Sequence, residues 1–134
     1  MNRNQDLAKL LLRITCAGLL LFHGTYKIYG DFQHIKDIVR AAGLPEFIAY
    51  GNFIGEFLAP LFVMVGYKTR IAALLIAVNM LASILIAHTD IVFKLNDYGA
   101  WMIELNVFYT MTAIVIFFLG AGKYSISKGI GKWQ

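Results

Sequence analysis

Five side chains that can carry a charge or a proton lie within, or at the ends of, long apolar stretches of this sequence. They are His23, Lys27, Glu56, His88 and Glu104. An ionisable group inside a bilayer is costly unless it is paired, hydrated or near the surface. Because the set combines carboxylates, imidazoles and an ammonium group, its members can pair with one another. Such a cluster could hold a small polar headgroup, relay protons or bind a metal.

The composition predicts that the apolar stretches cross a membrane. Of the 134 residues, 59% are hydrophobic and 15% are charged, and the mean hydropathy is +0.65. Soluble domains carry roughly 45–50% apolar and about 25% charged residues, and a small globule could not bury the excess. The net charge of +4 comes from basic residues that flank the apolar runs. That placement is typical of membrane proteins and argues against a nucleic-acid partner.

Residues 1–134 are interpreted as one all-α domain, an integral membrane four-helix bundle in contact with the lipid bilayer. A helix needs about 20 mostly apolar residues to cross the hydrocarbon core. The predicted spans cover about residues 7–29, 47–66, 69–88 and 99–122, and residues 30–46 form an outer loop with a short amphipathic helix. Arg13 interrupts the first span, and we expect its long side chain to reach the cytoplasmic surface.

The distribution of Lys and Arg predicts that both termini are cytoplasmic. The ends of the chain and the turn at Tyr67–Arg70 are basic, whereas basic residues of the other loops are diluted by acidic ones. With this orientation, all five ionisable side chains fall in the outer half of the bundle, and each helix contributes at least one. Four helices that bring polar groups to one depth indicate a polar site more strongly than any single residue does.

Structural explanations compete with a functional one for these residues. Lys27 could extend to the outer surface, His88 could cap its helix, and Glu56 could form a purely structural ion pair with Lys27 or Arg13. Asn79 is interpreted as a helix-packing residue. The lone cysteine, Cys16, can form neither an intrachain disulfide nor a redox pair, and it is predicted to pack in the bundle.

Two cofactor alternatives involve the same histidines. His23 and His88 could be axial ligands of a haem, although nothing else in the sequence supports haem. Two histidines and two glutamates could also bind a metal, but their spacing matches no local metal motif. No metal site is therefore predicted.

Small residues and a proline mark the second span. Gly51 and Gly55 form a GxxxG motif that Ala59 extends, and this pattern favours close approach to a neighbouring helix. Pro60 predicts a kink one turn beyond Glu56.

In its motifs, the sequence resembles the DoxX family over nearly its whole length. The resemblance rests on short elements in a characteristic order: Phe22-His23-Gly24 with Lys27, Gly43-Leu44-Pro45, Glu56, Gly66 with Thr69-Arg70, His88, Glu104 and Gly120-Ala121-Gly122-Lys123-Tyr124-Ser125. Ala121 replaces a usual proline, and Ser127 stands where an aspartate is common. Both departures lie in the C-terminal tail, away from the polar cluster.

The resemblance implies a four-helix protein of the bacterial cytoplasmic (inner) membrane. The family takes its name from a subunit of a thiosulfate:quinone oxidoreductase, and other bacterial members are linked with redox and thiol-stress systems. Distant animal relatives resemble chaperones for membrane receptors.

The leading hypothesis is a quinone-linked oxidoreductase subunit. His23 and Lys27 would hold the quinone headgroup, while Glu56, His88 and Glu104 would orient it and relay protons. The sequence has no flavin or nucleotide motif and no cysteine pair, so the electrons would come from a partner protein or a bound substrate. The alternative is a non-catalytic assembly factor or scaffold that meets a client through residues 32–42. A small transporter ranks last, since four helices would need a homo-oligomer for alternating access.

Overall fold

The computed structural model describes residues 3–30 and 32–134, and the elements in these ranges are helical. Helix α1 covers Arg3–Gly30, and the short helix α2 covers Phe32–Ala41. A second long helical stretch covers Glu46–Val65 and contains the short helices α3 (Ala49–Phe53) and α4 (Ala59–Val65). It is followed by α5 (Thr69–Ala87) and α6 (Glu104–Leu119). Within the described ranges the β-structure is limited to an isolated bridge between Leu95 and Trp101. The all-α prediction is confirmed.

Three helices are long and apolar enough to cross a membrane. These are α1 with 28 residues, Glu46–Val65 with 20 and α5 with 19. The fourth, α6, has only 16 residues, which at 1.5 Å per residue is about 24 Å. The predicted span at 99–122 is therefore longer than its helix at both ends. A turn in which the Asn96 amide bonds the Ala100 carbonyl precedes α6, and Gly120, with φ of 70°, ends it.

The core of the bundle combines larger side chains such as Leu20 and Ile76 with many alanines, which allow its helices to approach closely. Ala17, Ala59, Ala73 and Ala113 are almost fully buried, and Cys16 lies among them as predicted. Large apolar side chains cover the outside instead, for example Leu85, Phe108 and Phe118. An interior rich in alanine with a large apolar exterior is what a lipid solvent favours. Which end faces the cytoplasm stays a prediction, and "inner" and "outer" below follow it.

The second span is not a regular α-helix. It begins with a 3-10 turn and continues as α3 (Ala49–Phe53), a π-helical turn (Ile54–Leu58) and α4 (Ala59–Val65). Pro60 lacks the N–H that would bond to the Glu56 carbonyl in an α-helix, and the wide turn lies at that place. π-turns are often found at functional sites, and this one holds Glu56 with its side chain buried.

Arg13 does not reach the surface, contrary to the expectation. Its side chain is 1% exposed. It donates hydrogen bonds to the Val63 carbonyl at 3.3 Å and to the Tyr124 carbonyl. The physical reason is that the tail after α6 folds back under the inner end of the bundle, where the Ile126 amide bonds the Val65 carbonyl at 3.0 Å. This tail covers the place where an extended Arg13 would meet water.

We expect Arg13→Met to release the tail from the bundle. The bond to the Tyr124 carbonyl, which joins Arg13 to the tail, comes from a charged donor, and such a bond contributes about 1.5–3 kcal/mol. Proteolysis within residues 120–134 should then be about tenfold faster or more, and a water-soluble maleimide should label the buried Cys16, one turn away. Arg3→Met is the control, since Arg3 is exposed on the same helix. Equal proteolysis of both variants would mean that Arg13 does not hold the tail.

Candidate functional site

An ion pair between the first two spans lies at the centre of the candidate site. The Lys27 Nζ donates to Glu56 Oε1 at 2.7 Å. The Glu56 side chain is only 2% exposed, whereas that of Lys27 is 36% exposed. The structure thus brings together two of the residues singled out in the sequence. It also selects Lys27 over Arg13 as the partner of the buried carboxylate.

Close crossing of the two helices at Gly24 positions this pair. A Cβ atom at Gly24 would lie 2.3 Å from the Glu56 carbonyl oxygen, so a side chain there would overlap with backbone. Glycine therefore lets α1 lie directly against the π-turn. Lys27 follows Gly24 by one turn, which places its ammonium group within reach of the Glu56 carboxylate.

Two asparagines extend the polar cluster. Asn79 Nδ2 on α5 donates to Asn52 Oδ1 at 3.3 Å and lies 3.5 Å from Glu56 Oε1. The interpretation of Asn79 as a packing residue was therefore incomplete: it packs against Gly55, and its amide also joins the cluster. Periodicity alone could not show this contact, because it depends on how α5 is rotated against the second span.

The cluster borders a cavity of about 660 Å³ at the outer side of the bundle. Most of its wall is apolar, and the amphipathic helix α2 contributes Ile35, Ile38 and Val39 to it. The lining also includes polar side chains from every long helix and from α2: His23, Lys27, His34, Asn52, Asn79, Ser83, His88 and Asn106. The predicted amphipathic helix in the outer loop is confirmed, and its apolar face forms part of the cavity wall.

The three histidines of the chain all line this cavity. His23 is exposed and contacts the Tyr109 ring edge-on, with 6.1 Å between ring centroids. His88 follows the last residue of α5, and its Nδ1 lies 3.0 Å from the Ser83 carbonyl oxygen. His34 was missed, because its amphipathic segment does not show that it faces this cavity.

Glu104 lies apart from the other predicted site residues. It is exposed at the first residue of α6 and lines neither the large cavity nor a smaller one beside it. Asn106, two residues later, lines both cavities and donates to Ser83 Oγ at 3.4 Å. The reason is helix geometry: at 3.6 residues per turn, Asn106 lies about 200° around α6 from Glu104, so the two side chains face opposite sides.

The metal alternative can be compared directly with this geometry. Among residues 3–30 and 32–134, no three His, Cys, Asp or Glu side chains are grouped so that they could hold a metal ion. The structure therefore does not assemble the two histidines and two glutamates into a ligand set.

Comparison with known proteins places this architecture in a family. The sequence model described as DoxX matches residues 8–89, more than half of the chain. The chain belongs to the DoxX family. The DoxX match includes His23, Lys27, Glu56 and His88, and it ends before Glu104.

A curated relative carries the name "Putative oxidoreductase CatD" and comes from Bacillus subtilis (strain 168). This DoxX chain is 31% identical to it over 85 residues, which cover 63% of the chain and 63% of the relative. No solved structure matches the chain.

Proposed function

We propose that this DoxX-family membrane protein is a subunit of a quinone-linked oxidoreductase in the bacterial cytoplasmic membrane, and that the large cavity is its quinone site. The observation that carries the proposal is the cavity itself. Its volume of about 660 Å³ lies in the range of about 300–1,000 Å³ that is usual for small-molecule sites. Its walls are mainly apolar, as an isoprenoid quinone requires, and a polar cluster borders them.

The polar residues match the chemistry of a quinone headgroup. The two carbonyl oxygens of a quinone accept hydrogen bonds, and Lys27, His23 and the asparagine amides are donors. Lys27 remains 36% exposed, so its ammonium can turn partly toward a ligand while the buried Glu56 carboxylate holds it in place. When bound, a quinone takes up two electrons and two protons to become a quinol.

The electron donor is assigned to a partner redox protein. The chain has one cysteine, and its sequence shows no flavin or nucleotide motif. The relative's name, which describes an oxidoreductase, supports a redox role. In this assignment the protein binds quinone, positions it and supplies proton-carrying side chains, and the partner delivers the electrons.

The first test is whether quinone is bound at the large cavity. Ala82 lines the cavity from α5, and its neighbour Leu81 is 48% exposed on the outside of the bundle. We expect Ala82→Trp to displace a bound quinone, lowering the quinone extracted after purification in mild detergent by about tenfold or more. Leu81→Trp should retain it. Mass spectrometry of the organic extract measures both.

Absence of quinone from the wild-type protein would favour the second candidate function. If the wild-type protein carries no quinone and takes up none on reconstitution, the quinone proposal is wrong. A non-catalytic scaffold would then be favoured, and the segment between α5 and α6 offers a surface for a client in addition to residues 32–42, since its Phe93 and Tyr98 are 97% and 96% exposed. The scaffold function predicts a stable protein partner in gentle detergent extracts.

A further inference from the structure

A second, smaller cavity is lined by both members of the Lys27–Glu56 pair. Its volume is about 60 Å³, and its lining includes Glu56, His23, Asn106 and Tyr109. Glu56 is absent from the lining of the large cavity, whereas His23 and Asn106 line both. Lys27 also lines both cavities, so these three polar side chains lie between the buried carboxylate and the large cavity.

Two polar groups that line the small cavity, Glu56 Oε2 and the Tyr109 hydroxyl, make no hydrogen bond with the described residues. Glu56 Oε1 accepts from Lys27, but Glu56 Oε2 is buried without a hydrogen bond among the described residues. Tyr109 is 4% exposed and packs in the core, and its ring contacts His23 and Phe108. A buried carboxylate oxygen without a partner is costly. Native structures usually satisfy such groups with ordered water.

The cavity has the size and lining that a water site needs. One water needs about 10–15 Å³ of space for its centre and two to four polar partners. The volume of about 60 Å³ holds more than one water, and Glu56 Oε2, the His23 imidazole, the Asn106 side chain and the Tyr109 hydroxyl provide partners. Leu20, Met80 and Leu105 form the apolar part of the wall.

We propose that the small cavity holds ordered water that connects Glu56 Oε2 to His23, and that protons pass along this water between the carboxylate and the large cavity. The hydrogen-bonded water moves a proton from His23 to Glu56 Oε2, or back, without change in any covalent bond between heavy atoms. The presence of the water does not depend on the proposed function. The use of the protons for quinone reduction rests on it, and Tyr109 and Asn106 then act as positioning residues that hold the water.

Infrared spectroscopy of the purified protein tests the water site without a ligand. The Glu56 band is the difference between the spectra of the wild type and Glu56→Gln. Transfer from H2O to D2O shifts this band if water is bonded to the carboxylate.

Met80→Phe fills the small cavity and leaves every polar group in place, and Leu20→Phe is a second filling variant if the first does not fold. Val78→Phe is the control, because Val78 lines only the large cavity.

The expected result is a loss of about half of the D2O-induced shift in Met80→Phe or Leu20→Phe, since one of the two carboxylate oxygens faces the cavity. The part of the shift that comes from the Lys27 hydrogen bond is the same in all variants, so it cancels when the variants are compared with the wild type. Val78→Phe should keep the full shift. An equal shift in the filling variants and the wild type would overturn the proposal, as would an equal loss in Val78→Phe.

The two proposals can fail separately. A protein that binds no quinone but loses the shift in Met80→Phe keeps the water site and loses the quinone function. A protein that binds and reduces quinone with an unchanged shift in Met80→Phe loses only the water site. If both hold, Tyr109→Phe should slow quinol formation by about tenfold or more while quinone binding remains at the wild-type level.

Discussion

Gly24→Ala is expected to be among the most destabilising single substitutions in this protein. The added Cβ would lie 2.3 Å from the Glu56 carbonyl oxygen and 2.8 Å from its carbonyl carbon. Overpacking typically costs 1–3 kcal/mol, and more where nothing can move aside. Because the obstacle here is backbone, α1 and the second span must separate. We expect a loss of about 3 kcal/mol or more, measured as the free energy of unfolding in mixed detergent and SDS micelles.

Gly51→Ala provides the matched control. Gly51 is also a helical glycine next to the site, but a Cβ there meets nothing within 4 Å. Alanine is favoured over glycine inside a helix by about 0.5–1 kcal/mol, so this variant should be neutral or slightly stabilising. If both variants lose the same stability, the close crossing at Gly24 is not what holds the helices together. The two glycines of the predicted GxxxG motif also differ in their contacts, since Gly55 packs against Asn79 and Gly51 makes no such contact.

The second large effect is an asymmetry between the two halves of the ion pair. Lys27→Met leaves the Glu56 carboxylate, 2% exposed, without its cation. Removing one partner of a buried pair costs about 3–5 kcal/mol because the other charge stays buried. Glu56→Gln leaves Lys27, which is 36% exposed and can turn to water, and the glutamine can still bond Asn79. We therefore expect a smaller loss, about 1–2 kcal/mol.

A double-mutant cycle checks the physical reason for this asymmetry. With both changes in one chain, no unpaired charge remains at the site, so the double variant should be more stable than Lys27→Met alone. Unfolding in mixed micelles again gives the free energies. Equal losses from the two single variants would contradict the asymmetry, and a strictly additive double variant would mean that the pair is not coupled in the folded protein.

Much of the architecture could be predicted because the membrane imposes simple rules. Apolar runs longer than about 17 residues identify spanning helices, and the structure confirms an all-helical protein with three such helices. Lys27 and Glu56 could be identified as candidates for an ion pair or a functional site, because a charge deep in an apolar run needs a partner or a function. His34 stood in a recognisable amphipathic segment, but nothing in that segment indicated that it faces the same cavity as His23 and His88.

The sequence by itself determined that the chain crosses the membrane as helices and that a few costly polar groups lie inside them. Only the tertiary structure decided which of these groups meet. The choice of Lys27 over Arg13 depends on the close approach at Gly24, and Asn79 joins the cluster because Gly55 admits α5. Arg13 is buried because a tail more than 100 residues later in the chain returns to cover it. Helix rotation, helix register and such long-range contacts follow from packing between segments, which the periodicity of one segment cannot express.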